Sequence, residues 1–137
     1  DSSTTIRQVF KDKPASFDLA YIDGDHRLEG VVRDWRVVDE LISEGGLMLL
    51  HDTNPDPTGW YGPRYLLEEL REKFADRWHV VTLPTADRTG MALMQKISKS
   101  PSRDWKPPFS ELLRDRLYLS NISKRIALGP DAKTHKR

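Results

Sequence analysis

Two short apolar runs on either side of an amphipathic segment constrain this chain most. Phe17 to Asp23 is apolar at nearly every position until it meets the acid, as expected of a strand buried on both faces of a parallel sheet. Leu28 to Ser43 then places Val31, Val32, Trp35, Val38, Leu41 and Ile42 at the i, i+3, i+4, i+7 spacing of one helical face. Arg33, Asp34, Arg36, Asp39 and Glu40 fall on the wetter side. Gly45-Gly46 is expected to stop this helix, and Leu47 to Leu50 is the next buried strand. Strand, helix and strand with short joins make a βαβ unit with parallel strands. Both strands end in polar chemistry, Asp23-Gly24-Asp25-His26 and His51-Asp52-Thr53. In open α/β sheets the crevice outside the strands' carboxyl ends is where ligands bind.

The flanking sequence extends the pattern. Ser2 to Phe10 is a short helix with Ile6, Val9 and Phe10 on one face, followed by a connector, Lys11 to Ser16. Thr53 to Gly62 is rich in turn formers and carries Trp60 and Tyr61, so it reads as a lid or substrate wall. The plainer reading is an aromatic pair pinning that loop to the core. Pro63 suits the first turn of a helix running to about Ala75, with Tyr65, Leu66, Leu67, Leu70 and Phe74 on its apolar side. Trp78 to Leu83 and Gly90 to Lys96 read as an antiparallel pair, joined by the turn-rich Pro84 to Thr89. Ser98 to Pro108 is a linker, and Phe109 to Leu128 is a basic amphipathic helix with Leu112, Leu113, Leu117, Leu119 and Ile122 as its apolar side. Gly129-Pro130 ends it, and the final residues are expected to be disordered. The domain reading is therefore an α/β domain over residues 1–97 and a basic linker, helix and tail over 98–137.

Composition excludes several classes. With no cysteine among 137 residues, a disulfide framework, a thiolate zinc site and a cysteine nucleophile are ruled out. No apolar run approaches the roughly 18 residues that span a bilayer, and no signal-peptide pattern is seen, so a cytoplasmic location is expected. Charge is uneven. Residues 1–96 carry 12 Lys+Arg against 17 Asp+Glu, while residues 97–137 carry 10 against 4. The basic tail either lies against its own acidic domain or meets an anionic partner.

Asp23, His51 and Asp52 are the candidate metal ligands. Adjacent parallel strands lie about 4.8 Å apart, close enough for strand-end side chains to converge. Two carboxylates and an imidazole suit Mg²⁺ or Mn²⁺, the imidazole also admitting Fe²⁺, Co²⁺ or Zn²⁺. The alternative is that all three cap or hydrogen-bond loops. His26, three residues beyond Asp23, is the candidate general base, since imidazole titrates near neutrality; the alternative is an exposed helix-cap histidine. Asp25 reads as a ligand, a helix cap or an orienter of His26. Asp34 reads as a solvated acid and His79 as structural. Gly45-Gly46 is no phosphate loop, because no Lys-Ser/Thr follows.

The segments FDLAYIDGDHRLEGVVRDW and GGLMLLHDT resemble the strand-4 and strand-5 motifs of class I S-adenosylmethionine-dependent methyltransferases. The likeness extends over about Asp1 to Lys96. It points to small-molecule O-methyltransferases of the catechol, caffeoyl-CoA and macrolide-sugar types. It implies a Rossmann-like α/β sheet of parallel strands with a terminal antiparallel hairpin, which Trp78–Leu83 and Gly90–Lys96 resemble. It implies S-adenosylmethionine as cofactor, Asp1 and Ser2 contacting its adenine, Asp23, His51 and Asp52 as metal ligands, and His26 as base. Where the family carries Asp-Asn or Glu-Asp, this sequence has His51-Asp52. The family's glycine-rich loop after its first strand and the ribose-binding acid after its second have no counterpart here. The sheet is thus expected to be incomplete, with the first strands absent. The chain reads as a carboxyl-terminal half awaiting an amino-terminal half or partner chain, or assembling as a homo-oligomer. The expected activity is methyl transfer from S-adenosylmethionine to a hydroxyl of a small molecule or sugar, metal-assisted and with no membrane span. The alternatives are a non-catalytic binding module built on a degenerate methyltransferase half, and a metal-dependent hydrolase using the same acids and histidines.

Overall fold

The computed structural model describes residues 2–13, 17–54, 61–98 and 105–128. In chain order the elements are α1 (Ser2–Val9), β1 (Phe17–Ile22), α2 (Leu28–Leu41), β2 (Ile42–His51), α3 (Tyr61–Lys73), β3 (Trp78–Leu83), β4 (Met91–Lys96) and α4 (Phe109–Leu128). The chain divides into two compact units, residues 1–106 and 107–137.

The first unit holds a four-stranded mixed sheet in the order β1-β2-β4-β3. β1 and β2 run parallel, with Leu19 opposite Leu47 and Ile22 opposite Leu50. β4 runs antiparallel to both β2 and β3, with His51 opposite Met91 and Leu83 opposite Met91. This is a partial Rossmann-like sheet closed by the expected hairpin. Because β4 runs back, the β3–β4 turn lies at the same end of the sheet as the carboxyl ends of β1 and β2.

One sheet face is the core. Side chains alternate across a strand, so Met48 and Leu50 share a face with Ala92 and Met94, and all four are buried. α2 and α3 supply Leu28, Val31, Trp35, Leu66, Leu67 and Leu70 to that core. Trp105 joins it, its ring 5.7 Å edge-on from both Trp35 and Phe74, so the expected linker, Ser98 to Pro108, contains a packed residue. The opposite face is left open among the described residues: Leu19, Tyr21, Val81 and Leu83 are exposed. α4, by itself, exposes Phe109, Leu113 and Leu117; three residues of its expected apolar side, Leu112 among them, thus lie within the described part, and two of these three face solvent.

The end of α2 departs from expectation. The helix closes at Leu41 and the chain turns directly into β2, the Ile42 N–H still bonding back to the Val38 carbonyl. No glycine is needed, because buried Lys96 reaches across from β4 and donates from Nζ to the carbonyls of Asp39 and Ile42. A cation there satisfies orphan carbonyls and complements the helix dipole. Its counter-charge is Asp39 Oδ1 at 3.4 Å. Asp39, expected on the wet side, is therefore buried. Gly45-Gly46 lies inside β2, where β2 advances from Ile42 to Leu47 while β1 advances only from Phe17 to Leu19. Gly45 takes φ +84, the left-handed conformation such a bulge favours.

Candidate functional site

Parallel pairing brings the carboxyl ends of β1 and β2 side by side, and four expected site residues meet there. His26 Nε2 lies 2.8 Å from Asp52 Oδ2 and 3.4 Å from Asp23 Oδ1. His51 Nδ1 lies 3.2 Å from Asp52 Oδ1 and 3.4 Å from Asp23 Oδ1. One ligand atom from each of Asp23, His51 and Asp52 lies within 4.8 Å of the others. Asp52 is mostly buried, whereas Asp23 opens to solvent.

The local backbone explains the convergence. Asp52, the residue after β2, has φ +56, a left-handed conformation uncommon outside glycine and tolerated best by Asn and Asp. Strain of this kind tends to collect at functional sites. His26 sits in the loop before α2, and the first turn of α3 presses on that loop. A Cβ on Gly62 would come within 2.4 Å of the His26 carbonyl oxygen. Asp25 braces the same loop: its carboxylate accepts hydrogen bonds from the Arg27 backbone N–H at 3.0 Å and from Arg27 Nε. The Arg27 side chain is the main reason the Asp25 carboxyl is held below its ordinary range. Asp25 is thus committed to Arg27 and the turn, and Arg27 itself occupies the N-cap position. Asp34 is half-buried and lines a cavity beside Asp23 and Gly24, so it is not a free surface acid. His79 is exposed on β3, away from the cluster, and His135 lies outside the described residues. Asp1 and residues 55–60, which include Trp60, are also outside them. Ser2 opens α1, its side chain outside the description.

Two further residues touch the site, and a third, Asp87, reaches it through one of them. Tyr21 donates from its hydroxyl to Asp23 Oδ2 at 3.2 Å, and its ring meets His51 edge-on at 6.3 Å. Loss of hydration, then the Asp23 charge, push the Tyr21 phenol up from its ordinary value. The i, i+2 spacing of Tyr21 and Asp23 was the signal for this contact, since it puts both on one strand face. Thr89, in the β3–β4 turn, places Oγ1 3.3 Å from His51 Nε2 and donates to Asp87 Oδ1 at 2.8 Å. Hydrogen bonds from Thr85 and Thr89 hold the Asp87 carboxyl down at about 2. Only the antiparallel register, which sets Met91 against His51, revealed that this turn would arrive here.

The donor set fits a divalent cation. His51 Nδ1 is buried and makes no hydrogen bond, although two carboxylate oxygens lie beside it. A ring nitrogen with two carboxylates is the mixed hard and borderline set that Mg²⁺, Mn²⁺ or a later first-row ion accepts. A cavity of about 540 Å³ runs along β1 between α1 and α2, lined mostly by apolar groups such as Ile6, Phe10 and Leu19, and ends at Asp23 and Gly24. Its size is within the range of small-molecule sites.

Comparison with known proteins gives three findings. Residues 1–53 match the family model described as a methyltransferase domain. No curated protein matches the chain. Among solved structures, it is similar to a protein described as an rRNA methylase from Clostridium thermocellum, at 17% identity and TM-score 0.48, over 67% of this chain and 57% of that one. It is also similar to the MycE methyltransferase of the mycinamycin biosynthetic pathway. The complex with Mg and SAH gives 17% identity and TM-score 0.44 over 78% of this chain and 32% of that one. The complex with Mg, SAH and mycinamycin VI gives 20% and 0.47 over 83% and 35%. The chain thus spans less than three fifths of the first of these structures and about a third of the second. Asp23, His26, His51 and Asp52 all lie within the segment that matches the methyltransferase-domain model.

Proposed function

We propose that this chain provides the acceptor-binding half of a S-adenosylmethionine-dependent O-methyltransferase acting on a hydroxyl of a small molecule or sugar. The observation that carries the reading is the convergence of Asp23, His26, His51 and Asp52 at the carboxyl ends of two parallel strands. Asp23, His51 and Asp52 would hold a divalent cation, Mg²⁺ by oxygen preference. Bound there, it supplies positive charge that makes an acceptor hydroxyl more acidic. His26 takes the hydroxyl proton at Nε2, the ring nitrogen that faces the cluster. The imidazolium so formed sits against Asp52 and Asp23, 2.8 and 3.4 Å away, and needs no reorganisation to be stabilised. Arg27, Asp25 and Gly62 fix the loop that aims it. Most of the remaining acceleration comes from holding acceptor and methyl donor in line. The apolar cavity ending at Asp23 supports a small-molecule site on this side of β1.

Among the described residues, the exposed apolar sheet face and the unpaired outer edge of β1 support a further element of the proposal. An amino-terminal half or second chain would cover them, since a bare edge and an open apolar face invite pairing. Asp1 and Ser2 would then contact the methyl donor. The test is methyl transfer to a panel of phenols, sugars and other alcohols by the chain alone and with a candidate amino-terminal half. It is run with and without EDTA, and with His26→Ala. Activity lost in EDTA and in His26→Ala supports the reading; full activity in both would remove the cation and the base. Hydrolysis of model esters with no methyl donor would replace it with a hydrolase.

A further inference from the structure

We infer that the β3–β4 turn is a positioning device for the site, in which Thr89 and Asp87 fix the His51 ring as the tautomer protonated on Nε2. The inference rests on the proposed site, whose His51 would offer Nδ1 to a cation. The direction of the hydrogen-bond chain follows from what each group can do. Asp87 as a carboxylate only accepts. Thr89 has one hydroxyl proton, and it is committed to Asp87 Oδ1 at 2.8 Å. Toward His51, Thr89 Oγ1 therefore has only lone pairs left, so the partner 3.3 Å away must be an Nε2–H. With Nε2 committed as the donor, Nδ1 is the ring nitrogen left to offer a lone pair to a cation. That atom is the one buried beside Asp23 Oδ1 and Asp52 Oδ1 without a hydrogen bond. A lone pair held against two carboxylates is repulsive alone and favourable around a cation.

The turn is built to hold this orientation. The Asn54 backbone N–H bonds to the Thr89 carbonyl at 2.8 Å and Asn54 Nδ2 to the Arg88 carbonyl at 2.9 Å. The Thr53 N–H reaches the Gly90 carbonyl at 3.4 Å. The Gly90 N–H bonds to Thr85 Oγ1 at 2.8 Å, and the Thr89 N–H to Asp87 Oδ1 at 3.1 Å. Gly90 has φ +76 and lies so close to Asn54 that an added Cβ would sit 3.0 Å from it. The turn is thus clamped to the residues that directly follow Asp52. Groups beyond a ligating histidine that set its tautomer typically matter 10–100-fold for metal affinity.

The test is ¹⁵N–¹H NMR of the His51 ring in the metal-free chain, together with Mn²⁺ affinity by calorimetry. The proteins are the wild type, Thr89→Val, Thr89→Ser and Asp87→Ala. Asp87 is exposed, so its removal leaves no cavity in the core. Wild type and Thr89→Ser should show the Nε2–H form. Thr89→Val, which removes the acceptor, and Asp87→Ala, which frees the hydroxyl proton to turn toward His51, should lose its dominance. Mn²⁺ affinity should fall about 10- to 100-fold in Thr89→Val and recover in Thr89→Ser. An unchanged tautomer in Thr89→Val and Asp87→Ala would overturn the inference. The ring spectrum reads it even if wild type takes up no Mn²⁺, an outcome that would fall on the proposed cation site instead.

Discussion

Lys96→Met should destabilise the first unit by about 3–5 kcal/mol, because it removes the buried cation that faces the buried Asp39 carboxylate. Lys96 and Asp39 are only 3% and 2% exposed, with Nζ 3.4 Å from Oδ1. At an effective dielectric of about 20, two unit charges at that distance attract by about 5 kcal/mol. Desolvation offsets most of this for the intact pair, so the pair itself adds little over an apolar replacement. The loss appears when one partner is removed alone. Methionine keeps nearly the same length and apolar volume, so no cavity contributes. It also withdraws the donor from the Asp39 and Ile42 carbonyls that end α2. Urea unfolding followed by tryptophan fluorescence and far-UV circular dichroism measures the cost, in Lys96→Met, Asp39→Asn and the double variant. The double variant should be more stable than Lys96→Met, with a coupling within the usual range of roughly 0.5–3 kcal/mol. A loss below about 1 kcal/mol in Lys96→Met, or strict additivity, would refute the idea that this pair terminates the helix.

Gly62→Ala should cost about 1–3 kcal/mol and shift the His26 ring resonances, because the new Cβ would meet backbone at 2.4 Å and has no flexible side chain to displace; denaturant melts and the His26 spectrum check this. The Asp87 carboxyl, held down at about 2, gives the turn stability that is fully present above its ordinary pKa of 3.8 and is lost as pH falls toward 2. A ¹³C titration of its carboxyl should therefore have its midpoint near 2 in wild type and move upward in Thr89→Val; a wild-type midpoint near 4 would contradict the hydrogen bonds. Gly90→Ala should destabilise the turn, since alanine at φ +76 is strained and its methyl faces Asn54. Reduced hydrogen-exchange protection at Asn54 is the expected sign.

The sequence was most readable where one rule acted alone. Hydrophobic period and turn residues placed β3 and α4 at their observed limits, and strand-end polarity located Asp23, His51 and Asp52 on neighbouring strands. It was least readable where a distant residue overrides local preference. Gly45-Gly46 looked like a helix stop because glycine usually supplies one, yet Lys96, more than fifty residues along, ends α2 and releases the glycines to a bulge. Asp39 looked exposed for the same reason: Lys96, which faces it, is distant in sequence. Thr89 and Asp87 carried no motif of their own. They reach His51 only because β4 returns antiparallel and sets its turn at the carboxyl end of β2.

Paramagnetic broadening by Mn²⁺ tests the proposed cation site at the ends of β1 and β2 most directly. In ¹⁵N–¹H spectra of the histidine rings, substoichiometric Mn²⁺ should broaden His26 and His51 first and leave His79, exposed on β3, sharp. Asp23→Asn combined with Asp52→Asn should abolish the effect. Equal broadening of His79, or sharp His26 and His51 signals at saturating Mn²⁺, would contradict it.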